Sequence, residues 1–432
     1  MDWPGYITNR GPALKKTWIS LKLIVAAIRD LLIPFLPTVV VRLLIKNASY
    51  AFLIHPRDLS DVERKYPFLK RLSPGFTERI IRYLWPIVGS RIMGLRSISG
   101  SNHKNHNKVN KVLTGYIVIC PLSAKQMHQD PKLAQRRILQ TVRLAEKLGC
   151  KIIGLGALSA SMTQGGEYLL DKVRIGVTSG HAYTVAVICE MVEQIAHQLE
   201  VDLNNLTVAV VGAAGYIGVP CSRIISKKKV GHLILVDRVT KVGRLEKLYK
   251  EIANTNHITL STNLMSLRLA DIVVVVTNSL DILIKADHLK PGVVVLDDSQ
   301  PRNTSMELMD QRQDVLILDV MANAPGVNAH FSFDFPYADD VFTCMGETLI
   351  LAARGWKDNY CVGEFDYGLV NQILRWGETL NFTIAKFRSF NQLASPAKLD
   401  HIKSFYKDRS VKNGPVAEVA ERVKKVSNDL WT

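Results

Sequence analysis

Apolar and polar positions follow two rhythms along this chain. Short apolar runs, Gly115 to Cys120 and Lys151 to Leu155, alternate with longer stretches, Pro131 to Leu148 and Ala182 to Leu199, whose apolar residues return every third or fourth position. The first rhythm is that of buried strands, the second that of amphipathic helices. A strand over Ser49 to Pro56 and a helix over Leu59 to Tyr66 precede them, and the small-residue segment Gly156 to Ser161 reads as a turn. Ser97 to Lys111 lacks apolar periodicity and reads as a loop, and its His103 and His106 have no further metal ligands nearby. Later strands are expected at Asp271 to Ser279, Gly292 to Pro301 and Val315 to Val320. Strands alternating with helices predict an α/β architecture with largely parallel sheets.

One segment has a sharper meaning. Thr207 to Val211 is an apolar strand, Gly212, Gly215 and Gly218 follow at its end, a helix opens there, and the next strand, "HLILVDR", ends at Asp237 and Arg238. This order is that of a dinucleotide-binding turn: the first glycine bends the chain, the second lets a pyrophosphate approach the helix N-terminus, and the third packs helix on strand. The loop Gly212, Ala213, Ala214, Gly215, Tyr216, Ile217 and Gly218 is therefore expected to hold NADPH or NADH. Asp237 stands 25 residues after Gly212, where a carboxylate reaches a ribose 2′-hydroxyl and favours NADH, whereas Arg238 suits a 2′-phosphate. Both cofactors stay open. The strand ends at Thr277, Asn278 and Asp297 should face the same crevice, with Asp297 and Asp298 competing as caps of the next segment.

A nucleophile candidate follows. Cys344 begins a helix running through Leu349 to Arg354, and a helix N-terminus favours the thiolate over the thiol. Glu347, three residues on, is placed to cap that helix, and Gly346 would let a substrate approach. A buried cysteine acting as a small apolar side chain is the competing reading.

Length and charge set the surroundings. At 432 residues the chain is long enough for two or three domains. The expected division is a basic amphipathic N-terminal extension (1–48), an α/β substrate domain (49–200), a Rossmann-type doubly wound parallel sheet domain (201–345), C-terminal helices packing back on the substrate domain (346–394) and a basic tail (395–432). The net charge of +16 is peripheral: residues 1–112 carry 19 Lys or Arg against 6 Asp or Glu, and residues 386–432 carry 10 against 5. An anionic partner is implied, either phospholipid headgroups or an acidic carrier protein, and no zinc-finger, RNP or bZIP pattern points to nucleic acid.

Lys15, Lys22 and Arg29 form a basic stripe opposite Trp18, Leu21, Val25, Ile28 and Leu32, as in a helix lying in a membrane interface or packed on the protein's own body. A transmembrane span is not expected, because the longest uncharged run, Leu31 to Val41, has eleven residues and contains Pro34 and Pro37. A signal peptide is not expected either, since Pro4, Gly5, Gly11 and Pro12 break the polar start. Six scattered cysteines without a C-x-x-C pair read as reduced thiols, with no metal site. The expected location is cytoplasmic, peripheral on the inner face of the membrane.

The blocks "GLGALSAS" (Gly154 to Ser161), "TSGHAYTVAVI" (Thr178 to Ile188), "TVAVVGAAGYIG" (Thr207 to Gly218), "ADIVVVVTNS", "DDSQPRN" and "FTCMGETLIL" occur in an order that resembles the long-chain acyl-[acyl-carrier-protein] reductases and their wider bacterial relatives. The resemblance runs from about Tyr50 to Asn391. It implies reduction of a fatty acyl thioester, carried on acyl carrier protein or CoA, to an aldehyde, with Cys344 as the acylated nucleophile and Gly212, Gly215 and Gly218 as the cofactor loop. The sequence departs from the family at His181 and Tyr183, candidates for protonating the developing alkoxide, where the family has Asn and His. It departs again at Asp237, which the family tends not to carry, so a preference for NADPH does not transfer. Two other readings compete: a dehydrogenase of a small hydroxy or amino acid laid out like shikimate dehydrogenase, and a membrane-associated NAD(P)-binding sensor without enzymatic activity.

Overall fold

The computed structural model describes residues 28–29, 31–45, 48–98, 111–253, 257–331, 333 and 335–407. In the N-terminal half the helical elements are α1 (Thr38–Leu44), α2 (Leu59–Lys65), α3 (Pro74–Tyr83), α4 (Ala124–Gln129), α5 (Pro131–Leu148), α6 (Leu158–Met162) and α7 (His181–Leu199). The strands are β1 (Ala48–Ile54), β2 (Ile87–Ile92), β3 (Thr114–Ile119), β4 (Ile152–Leu155) and β5 (Gly176–Thr178). They form one sheet in the order β2-β3-β1-β4-β5, parallel except for the antiparallel β2–β3 pair. Local chemistry sets the helix ends. The Asp130 carboxylate accepts the Leu133 amide and Pro131 sits in the first turn of α5, while left-handed Gly149 ends it.

The second sheet contains β6 (Thr207–Val211), β7 (His232–Val236), β8 (His257–Ser261), β9 (Ile272–Val275), β10 (Val294–Asp297) and β11 (Leu316–Asp319), with helices α8 (Gly218–Lys227), α9 (Val242–Ile252) and α10 (Met306–Gln311). The spatial order β11-β10-β9-β6-β7-β8 is wholly parallel. Read from the other edge it is the 3-2-1-4-5-6 order of a doubly wound dinucleotide-binding sheet. Its central strands are dominated by Val, Ile, Leu and Ala because helices cover both faces, and β6, β7, β9 and β10 are buried at every position.

After β11 the chain passes through β12 (Met321–Asn323) and β13 (Asp340–Phe342) and returns to the first half. Helix α11 (Thr343–Ala353) lies on α7, β4 and β1, so closely that a Cβ on Gly154 would stand 1.7 Å from Thr348 Oγ1. Helix α12 (Tyr367–Glu378) packs on α7 and α11. The expected boundary between residues 345 and 346 therefore cuts through a helix. The expected tail is docked at its start: α13 (Pro396–Ser404) packs on α7 and β11, and Tyr406 donates to the Gly292 carbonyl at 2.9 Å. Most of the N-terminal basic stripe, most of the Ser97–Lys111 loop and residues 408–432 lie outside the described residues. The expected turn at Gly156 to Ser161 contains the start of the short helix α6.

Among the described residues no helix is long and apolar enough to cross a membrane, the cysteines are free, and no three metal-ligating side chains cluster. Packing at the first turn of α8 yields a direct prediction. A Cβ on Gly218 would lie 2.1 Å from the Gly212 carbonyl oxygen, a rigid backbone atom. Gly218→Ala should lower the urea unfolding free energy by more than about 2 kcal/mol, as overpacking against backbone does. An unchanged midpoint would show that the loop shifts freely.

Candidate active site

The carboxyl ends of both parallel sheets open into one cavity of about 1590 Å³. Its wall takes His55 after β1, Ala157 after β4, Ser179 after β5, Gly212 after β6, Asp237 after β7, Thr277 after β9 and Asp298 after β10. Ligands of open α/β sheets bind at such strand ends. The volume exceeds the roughly 300–1,000 Å³ usual for one small-molecule site.

The glycine loop forms one wall. Gly212 has φ +87°, and its amide and that of Ala213 donate to the Val236 carbonyl. Gly215, Tyr216 and Ile217 face the cavity at the head of α8, while Ala213 is buried in the core and Gly218 stands behind Gly212. Of the loop residues expected to touch the cofactor, those two support it from behind. The cradle fits a dinucleotide: Gly215 leaves room for a pyrophosphate, and the start of α8 directs amides and its positive dipole end toward it.

Asp237 lines the cavity at the end of β7. Its Oδ2 accepts the Ala214 amide at 2.9 Å and its Oδ1 the Arg238 amide at 2.8 Å, so the carboxylate also braces the loop. Arg238, Lys241 and Arg244 line the cavity beside it, with Arg244 also paired to Glu364 at 2.8 Å. Thr277 and Asn278 line the opposite side, and Thr277 Oγ1 donates to Asn303.

Cys344 lines the same cavity as the loop, half-buried in the first turn of α11. The amides of Ala157 and Met345 donate to its sulfur. Burial nevertheless pushes the thiol up to about 12, with the Asp298 carboxyl adding to the effect. Desolvation in the cavity wall thus opposes the stabilisation of the thiolate expected from the helix N-terminus. Gly180, at φ +80°, makes the neighbouring approach possible: a Cβ there would lie 2.3 Å from that of Cys344.

One residue escaped sequence reasoning, and another was read there only as a cap. Ala157 has φ 50° and ψ −131°, a region that a side chain makes costly by about 1–3 kcal/mol. His55 holds the following residue in place: its Nδ1 bonds to the Pro56 carbonyl and its Nε2 accepts the Leu158 amide at 3.2 Å, which requires the neutral ring. Burial keeps it so, lowering its pKa to about 4. The other is Asp298. Asp297 is consumed as a cap, accepting the amides of Ser299, Asn303 and Thr304 and the Thr304 hydroxyl. Asp298 has no such claim on it among the described residues, faces the cavity near Cys344, and is held well above the usual carboxylate range by burial and by Asp297.

The two candidate proton donors separate. His181 lines the cavity and stacks on Tyr216 at 6.0 Å between ring centroids; its Nδ1 is buried without a partner. Burial lowers its pKa to about 4, so at neutral pH it offers a hydrogen bond and not a stored proton. Tyr183 is buried outside the cavity wall, its ring against Gly346 and Gly377, and burial pushes its hydroxyl well above the ordinary tyrosine value. It belongs to the core.

Glu347 joins the helices. Fully buried on α11, it caps α7 and not its own helix: Oε2 accepts the Tyr183 amide at 2.8 Å, the amides of Gly180 and Ala182 also reach it, and Thr178 donates to Oε1.

Comparison with known proteins agrees with this geometry. Residues 177–321 match the family model for shikimate / quinate 5-dehydrogenase. The long-chain acyl-[acyl-carrier-protein] reductase of Synechococcus elongatus is 30% identical over 275 residues, covering 59% of this chain and 76% of that enzyme. The chain belongs to the family of that reductase. The aminotransferase PigE of a Serratia species is 24% identical over 306 residues, 68% of this chain, and the chain spans only 35% of its length. Among solved structures, the NAD-dependent malic enzyme of Thermotoga maritima aligns over 93% of this chain and 95% of its own at 11% identity and a TM-score of 0.39. Family and fold make the protein an NAD(P)-dependent oxidoreductase.

Burial of Glu347 carries a pH signature. Its pKa is raised to about 7 from 4.5, so the folded state holds a proton that the unfolded state releases between those values. Stability from this group is present below pH 4.5 and lost as pH rises through 7. Relative to Glu347→Gln, which cannot titrate, the wild type should lose about 3 kcal/mol across that window in urea titrations. A pH-independent difference would place the carboxyl in an ordinary environment.

Proposed function

We propose that the protein reduces a fatty acyl thioester, on acyl carrier protein or CoA, to an aldehyde through an acyl-enzyme on Cys344. The observation that carries this reading is that Cys344 lines the same cavity as the glycine loop, with two backbone amides directed at its sulfur. The cavity also has an apolar arm lined by Ile54, Leu69, Ile80, Leu84 and Phe333, suited to a hydrocarbon chain.

In this mechanism the Cys344 sulfur bonds to the acyl carbon as the bond to the carrier sulfur breaks, and the thiol proton reaches the departing thiolate by way of Asp298. The His181 ring orients the acyl oxygen. Bound NAD(P)H supplies the hydride that turns the acyl carbon into an aldehyde. The bond to Cys344 breaks as the new C–H bond forms, and the amides of Ala157 and Met345 receive the returning thiolate. Asp298 returns a proton to it from solvent. Arg238, Lys241 and Arg244 around the ribose end favour the 2′-phosphate of NADPH.

A second reading keeps support from the family match over residues 177–321, which is a dehydrogenase of small hydroxy acids and covers the cofactor half. That match stops short of Cys344. A small-acid dehydrogenase would use Asp298 as a base and have no need of the thiol, so inactivation by iodoacetamide with cofactor protection separates the two.

Intact-mass spectrometry after incubation with an acyl thioester should show an acyl adduct that Cys344→Ala abolishes together with aldehyde release. Full activity in that variant would refute the mechanism. Asp298→Asn should reduce kcat by about 10²-fold or more with a smaller change in KM, the scale of lost proton transfer. Arg238→Ala should raise KM for NADPH about tenfold while leaving NADH nearly unaffected, the size of one charge-assisted phosphate contact.

A further inference from the structure

The outer surface of the N-terminal half is apolar where a water-soluble face would be polar. Among the described residues 22 large apolar side chains are exposed, and twelve of them fall between Ile28 and Trp85. Helix α1 buries Val41 and leaves Val39 71% and Leu43 68% exposed, with Leu44 beside them. Phe35, just before α1 and 61% exposed, meets the ring of Trp85, just after α3, at 5.4 Å between centroids, and Phe76 in the first turn of α3 is also exposed. Patches of this extent on soluble proteins mark an interaction surface.

Two further observations identify what it meets. Leu31 and Leu72 are exposed on this face and also line the cavity, so the face and the cavity share apolar residues. Exposed Arg42 lies on α1 and Arg79 on α3, with exposed Lys70 and Arg71 in the short turn between α2 and α3. Residues 28–85 hold ten Lys or Arg against five Asp or Glu. Apolar side chains among cations are the complement of an anionic bilayer, whose headgroups meet the charges and whose acyl layer accepts the apolar groups. A second copy would set the same cations against each other. An acidic soluble protein would match the cations and leave the apolar centre without a counterpart.

We propose that this face seats the protein on an anionic phospholipid bilayer with the cavity mouth against the acyl-chain layer, giving apolar ligands a path between membrane and site. The surface carries the inference, and its test needs no thioester.

The full chain should float with phosphatidylcholine vesicles containing phosphatidylglycerol and bind pure phosphatidylcholine at least tenfold more weakly. Val39→Glu with Leu43→Glu, both exposed and outside the cavity wall, should reduce flotation at least tenfold while leaving NADPH binding and the circular dichroism spectrum unchanged. Three outcomes would overturn the proposal: no flotation with either vesicle, flotation unaffected by the double substitution, or a solution dimer that the substitution converts to a monomer without any vesicle binding. Loss of binding to a soluble acidic carrier protein, with no vesicle binding in the wild type, would overturn it equally.

Discussion

A buried carboxylate fixes the geometry on which the site depends. Glu347 comes from α11 and ends in the first turn of α7, where amide groups lack partners within their own helix. The bond ties the helix bearing Cys344 to the helix that begins beside Gly180 and His181. Because Thr178 donates to the same carboxylate, the end of β5 is held as well. The sulfur, the imidazole and the sheet edge are thereby positioned through one side chain with no exposure of its own.

Around that anchor the site divides its chemistry between neighbours. Asp297 and Asp298 are adjacent in sequence and opposite in use: the first has its oxygens occupied by backbone donors, the second faces the cavity. Crowding two carboxyls at one strand end makes it costly to ionise both, which keeps a proton close to Cys344. Ala157 shows a similar economy. Its strained backbone aims an amide at the sulfur, and His55 together with the close packing of Gly156 on β1 holds the loop in that shape.

Sequence reading reached the parts of this arrangement that are local. The glycine loop, the buried strands and the cysteine at a helix start each lie within a few consecutive residues, and periodicity or spacing exposes them. Residues whose role depends on distant partners stayed hidden. Glu347 looked like a cap for its own helix, because nothing nearby in sequence announces α7. Asp237 has the spacing of a ribose ligand, and its additional bond to the loop amide of Ala214 is not visible in sequence. Tyr183 sits two residues from His181 and points elsewhere, since side chains two apart on a helix face different directions. A helix dipole at Cys344 is visible in sequence, whereas the desolvation that opposes it is not. Ala157 gave no signal, as alanine is an unremarkable letter in a conformation that usually calls for glycine.

The return of the chain after β13 has a bearing on how the molecule is made. Helix α11 follows the entire second sheet in sequence but lies on the first. A nascent polypeptide interrupted just before Thr343 would hold every strand of the cofactor sheet and lack the Cys344 sulfur, along with the carboxyl that caps α7. The cavity wall is thus completed last as the chain grows, and any gene fragment that separates the two halves parts Cys344 from its surroundings.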